Sequence, residues 1–212
     1  MNVTTATTET KTATTATAAG PDETHAPGGE VAALLEEMRA VAEEARAAFG
    51  GLNARQLNWK PSPERWGVGQ CFDHVIRANR AFVPVLERVA RGEHRMSAWE
   101  RRSPLSGLFG RLILKSLAPD SGRKFKAPQG VRPASSDVDA RVISTFAAQQ
   151  AELVGLVARA AAAADPRKTI VTSPIARLVT YSLGDALRIL VTHERRHSEQ
   201  ARRVTEAEGF PR

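Results

Sequence analysis

Two histidines stand four residues apart in the run HERRH at 193–197. On a helix, His193 and His197 project from one face about one turn apart. Two neutral imidazoles so placed can grip one divalent metal, with nitrogens roughly 2.0–2.1 Å from zinc. The string also reads H-E-x-x-H, the zinc-protease pattern in which the intervening Glu, here Glu194, is the general base. Such a protease takes its third ligand from a downstream Glu or His. Only 15 residues follow His197, none of them His, and Glu206 and Glu208 fall at the frayed end of the same helix. The two histidines are therefore the informative part of the motif. Glu194 reads as a carboxylate beside a metal site or on the surface, rather than as a base.

A metal centre needs a third ligand, and only His25 and His94 compete with His74 for that place. His74 falls on the apolar face of a helix, with Cys71, Val75, Ala78 and Phe82. Three histidines with open positions left over is the geometry of a catalytic metal site. The plainer alternative is three histidines satisfied by backbone or water, since a buried imidazole needs a partner of some kind. Asp73 should point away from the metal, as a candidate to support the site from behind or as a surface carboxylate. Cys71, one turn before His74, is either a pocket residue or a small buried apolar one. Trp59, Trp66 and Tyr181 read as core plugs.

The elements that must hold these residues read as four long helices. Apolar residues at a 3.6-residue period mark the first over 30–49, ended by Gly50-Gly51. The second starts after Gly67, with Gln70 in the capping-box position, and runs to about Arg91; Pro84 should kink or break it. The third runs from Ser136, capped with Asp139, to about Ala164. The fourth runs from Leu183, capped by Ser182 and Asp185, to about Glu208. Residues 92–133 are the least regular, with a short apolar helix expected within 104–117. The prediction is an all-α four-helix bundle with a long irregular excursion between helices two and three. The bundle domain is expected over 29–212, after a disordered Thr/Ala-rich tail over 1–28.

Composition narrows the class further. No run of apolar residues is long enough to span a membrane. The start lacks the apolar core of a secretory signal, and the one cysteine suits a reducing compartment, so a cytoplasmic protein is expected. The net charge is +7, with Arg101, Arg102, Arg111, Lys115, Arg123, Lys124 and Lys126 clustered in one segment. That cluster is either a solvated loop or an attractor of anions. No nucleic-acid motif accompanies it, so nucleic acid is not an expected partner.

Two stretches resemble the DinB-like (DinB/YfiT) superfamily of metal-binding four-helix bundles: NWKPSPERWGVGQCFDHV at 58–75 and YSLGDALRILVTHERRHSEQARRV at 181–204. Members look like W-S-x-x-[EQ]-x-x-x-H followed by H-x-x-x-H-x-x-Q. These patterns fall on Trp66, Gln70 and His74, then on His193, His197 and Gln200; Gly67 departs from the usual hydroxyl cap. The segment APDSGRKFKAPQGVRP at 118–133 resembles the loop of one subgroup. The likeness covers roughly 30–208. It implies one divalent metal, zinc, nickel or iron, on His74, His193 and His197, often within a homodimer. It also implies, among characterised relatives, thiol-dependent S-transferases using mycothiol, bacillithiol or glutathione, and a maleylpyruvate isomerase. On that reading the partner is a small-molecule substrate, and Arg123, Lys124 and Lys126 are candidates to bind carboxylates of the thiol. A metal-dependent hydrolase, with Glu194 or Asp73 as base, and a non-enzymatic metal- or ligand-binding bundle remain as alternatives, because fold alone does not license an activity.

Overall fold

The computed structural model describes residues 1, 27–117, 128–134 and 137–212. Its elements in chain order are α1 (Pro27–Phe49), α2 (Ala54–Asn58), α3 (Val68–Ala90), α4 (Ala98–Arg102), α5 (Ser106–Leu117), α6 (Val142–Ala163), β1 (Ile170–Thr172), β2 (Thr180–Ser182) and α7 (Leu183–Thr205). The chain is mostly helical, as expected. Four of these helices are 22–23 residues long. Among them α3 packs on α6 and α7, and α1 packs on the same two, which closes a ring around one core.

The core has two apolar halves. One gathers Phe82 and Leu86 of α3, Leu153 and Val157 of α6, and Leu187 and Leu190 of α7. The other gathers Phe72 and Val75 of α3, Ile143 and Phe146 of α6, and Ala201 and Val204 of α7. On each of these three helices the two halves are separated by a buried polar residue: Asn79, Gln150 and Glu194. The bundle therefore has a polar waist.

Local chemistry fixes the ends of the helices that carry the histidines. Gln70 Oε1 accepts from the Gly67 N–H at 3.3 Å, and Gly67 supplies no side-chain cap. A Cβ on Gly67 would lie 2.4 Å from the Trp59 carbonyl oxygen. The chain thus lacks the hydroxyl usual at this cap because the preceding loop passes too close. At the start of α7, Ser182 Oγ accepts from the Asp185 N–H at 3.0 Å. The Asp185 carboxylate itself pairs with Arg188 rather than closing the box.

Several boundaries differ from the sequence-based expectation. α1 begins at Pro27, inside the stretch assigned to the tail, with proline in the first turn where its missing N–H is harmless. The loop after Gly51 contains α2, closed by a reciprocal cap between Asn53 and Gln56. Pro84 lies within α3 without ending it. α6 starts at Val142, later than expected. Asp139 Oδ1 accepts from the Arg141 N–H at 2.8 Å, a local turn that competes with helix, and Asp137 has φ 52°. Ser136 lies outside the described residues, as does almost all of the expected tail. Among its described residues the excursion holds α4, α5 and a 3-10 helix over Gln129–Val131. The connector before α7 forms an antiparallel ribbon pairing Val171 with Tyr181, which the sequence reading missed. Among the described residues no helix is long and apolar enough to cross a membrane.

Candidate metal centre

His74 projects from α3 and His193 and His197 from α7, and the three rings meet face to edge. Ring centroids are 4.6–4.9 Å apart, and one ligand nitrogen from each lies within 4.8 Å of the others. His74 and His197 are buried and His193 is partly exposed. His74 Nε2 and His193 Nε2 stand 3.0 Å apart. Two nitrogens on one tetrahedral zinc lie roughly 3.3–3.4 Å apart, so this pair needs only a small spreading to share an ion.

The surroundings prepare the imidazoles as donors. His74 Nδ1 lies 2.6 Å from the Val131 carbonyl oxygen, which fixes the proton on Nδ1 and leaves Nε2 free to ligate. His197 Nδ1 is buried with no partner among the described residues. Burial holds all three rings below the usual imidazole range. For His74, the Val131 carbonyl and the Asp73 charge oppose it. His193 is pushed down to about 3 by burial, then by His74 and Arg196. His197 is lowered by burial, then by His193, His74 and Arg196, with a bond to Gln200 opposing. Neutral rings at neutral pH are the form a metal requires.

The segment 131–134 is tied to the start of α3 at both polar groups of one residue. Asp73 Oδ2 accepts from the Ala134 N–H at 2.7 Å, and Gln70 Nε2 donates to the Ala134 carbonyl at 2.7 Å. Asp73 also pairs with Arg77. Asp73 thus touches no histidine ring by hydrogen bond; it holds the strand of chain whose carbonyl orients His74. The Val131 carbonyl is the functional group that sequence reasoning missed, because a backbone acceptor leaves no mark in residue type.

Glu194 is not on the surface, and the bonds its carboxylate makes go to amide side chains rather than to a histidine ring. It is 1% exposed, and its Oε1 accepts from Asn79 Nδ2 at 2.8 Å and Gln150 Nε2 at 2.6 Å. Burial pushes its carboxyl up to about 7, against the two amide bonds and Arg195. Cys71 is fully buried in the core, its thiol pushed up to about 12 by burial, which is the small apolar role. Trp66 packs against the core half that contains Phe72 and Val75, as expected of a plug, and does more. It stacks on His197 at 5.6 Å, packs on His74 at 4.9 Å and lines the cavity. Trp59 packs edge-on against Phe210, and Tyr181 is buried in the core while also reaching the cavity wall. His94 lies apart, its Nε2 3.0 Å from the Ile170 carbonyl.

The three histidines open into a cavity of about 1400 Å³. Neither Glu194 nor Asp73 lines it, whereas Gln70 and Gln200 do. Arg123, Lys124 and Lys126 lie outside the described residues, and so does His25. Of the same basic cluster, Arg101, Arg102, Arg111 and Lys115 do not line the cavity; the cations among its described lining residues are Lys60, Arg65, Arg132, Arg196 and Arg203.

No curated protein and no solved structure matches the chain. The family model of the DinB superfamily matches residues 35–201, a span that takes in α3, α6, nearly all of α7 and all three histidines. By that match over most of its length, the chain belongs to the DinB superfamily.

Proposed function

We propose that the protein is a metal-dependent enzyme that transfers a low-molecular-weight thiol to a small electrophile, with His74, His193 and His197 holding one divalent metal. The observation that carries the reading is the convergence of three neutral, largely buried imidazoles on one wall of a large open cavity. When bound, the metal would supply a Lewis acid that can hold a thiol as its thiolate. The chain's own contributions are positional. Val131 fixes the tautomer of His74, and Trp66 packs two of the rings into place. Gln70 spends its amide on the Gly67 N–H and the Ala134 carbonyl and so holds the segment that orients His74, while Gln200 bonds His197 at the cavity wall.

The hydrolase reading has less support, because it needs a base beside a bound water. Glu194 is spent on Asn79 and Gln150, and Asp73 on Ala134 and Arg77. A purely storage or structural role for the metal fits poorly with so large a cavity beside the rings. The test is a panel of thiols against small electrophiles, followed by loss of the free electrophile. Conjugation that requires both thiol and metal and is lost in His193→Ala supports the reading. Turnover that proceeds without any thiol overturns it in favour of hydrolysis.

A further inference from the structure

The cavity is chemically polarised along the bundle axis. α3 and α7 run antiparallel through the site, since His74 faces His193 and His197 while Asn79 bonds Glu194. Gln70 on α3 therefore shares one end with Gln200 and Arg203 on α7. Phe82 on α3 shares the other with Ile189 and Leu190. At the first end the α2–α3 connection adds Lys60 and Arg65, and the residue after the Val131 carbonyl adds Arg132. At the second end Ile113 and Leu117 of α5 and Ile175 pack on the core half that contains Phe82 and Leu190. Of the five cationic side chains among the described lining residues, Lys60, Arg65, Arg132 and Arg203 lie at the first end, Arg203 4.0 Å from Glu199, while Arg196 donates to the Ser116 carbonyl of α5; the one carboxylate in that lining is Glu64. Along α3, Gln70 and Phe82 lie about 18 Å apart, with His74 about 6 Å from the Gln70 end.

We infer that the cavity takes an amphipathic organic anion: a carboxylate at the arginine end, the reacting group at the histidines, and an apolar body between α3, α5 and α7. This deepens the proposed function and rests on reading the cavity as the substrate site. Arginine suits the carboxylate because its planar fork can bind both oxygens at once. The apolar end selects for length, since each methylene taken from water tightens binding about fourfold.

The test is calorimetric titration of the full chain, stripped of metal so that no ligand oxygen can bind an ion, with octanoate, octylamine, octanol and acetate. Metal content is measured separately on the reconstituted protein. Octanoate should bind at least about tenfold more tightly than the other three. The double variant Arg132→Gln/Arg203→Gln, checked for an unchanged helical spectrum, should weaken octanoate by about tenfold and leave octanol unaffected. Equal binding of octanoate and octylamine, or of octanoate and acetate, overturns the inference without reference to any variant. So does full octanoate affinity in the double variant. Selective octanoate binding by a chain that never takes up metal would sustain the anion site and remove the metal reading. Stoichiometric metal without octanoate preference would overturn this inference alone.

Discussion

Replacing Glu194 by Gln separates a core role from a chemical one. In the native chain one carboxylate oxygen accepts two amide donors, while Glu194 Oε2, Asn79 Oδ1 and Gln150 Oε1 are buried without partners among the described residues. Three orphan acceptors and no donor favour a proton on the carboxyl, in line with its rise from 4.5 to about 7. Because the folded value lies above the unfolded one, the folded state holds a proton that the unfolded state releases between those limits. Glu194 therefore supports the fold fully below pH 4.5, and that support is lost as pH rises to about 7. At about 1.4 kcal/mol per decade, the gap amounts to about 3 kcal/mol. The amide of Glu194→Gln cannot titrate, can keep both bonds to Oε1, and brings an N–H for Asn79 Oδ1 or Gln150 Oε1. The three histidines act in the opposite sense: their lowered values make stability rise with pH below their usual range. They are present in both proteins and largely cancel in the difference. Urea unfolding of metal-free protein at about pH 5 and about pH 8 should therefore show the variant gaining about 2.5 kcal/mol relative to wild type at the higher pH, slightly less than the full gap because part of the support is already lost at pH 5. A difference that is flat with pH, or that turns against the variant as pH rises, refutes the protonated-waist reasoning.

Gly67→Ser would install the usual cap yet drive a Cβ against the Trp59 carbonyl, so thermal unfolding should show a loss of about 1–3 kcal/mol. Asp73→Ala frees the Ala134 N–H and loosens the segment whose Val131 carbonyl orients His74; metal titration should give roughly tenfold weaker binding with the helical spectrum kept. Cys71, with its thiol buried and pushed up to about 12, should resist a chromogenic disulfide reagent in the folded protein and react on unfolding; rapid reaction of the folded protein would contradict its burial.

How far the sequence disclosed this site depended on the kind of contact involved. The 193/197 pair was legible because it continues the apolar stripe of α7, and Gln70 because capping is a local, four-residue event. The surface alternative for Glu194 rested on the rule that a charge one residue off the stripe normally faces water, and it failed here. α7 is packed by α1, α3 and α5, so faces about 100° apart are both buried. Trp66 looked like a plug because aromatic residues near helix starts usually are, and only the crossing of α3 and α7 brings two imidazoles against it. The Val131 carbonyl, Arg132 and Arg203 meet at one cavity through long-range packing, which no periodicity encodes. The β1–β2 ribbon is too short for its alternation to stand out from a connector.

The measurement that tests the central claim most directly is metal content by plasma mass spectrometry, for the wild-type chain and for His197→Ala, beside far-ultraviolet circular dichroism of both. The account predicts about one divalent ion per chain in the wild type, its loss in the variant, and the same helical spectrum in each. Full metal content in His197→Ala, or none in the wild type after reconstitution, would contradict a three-histidine centre.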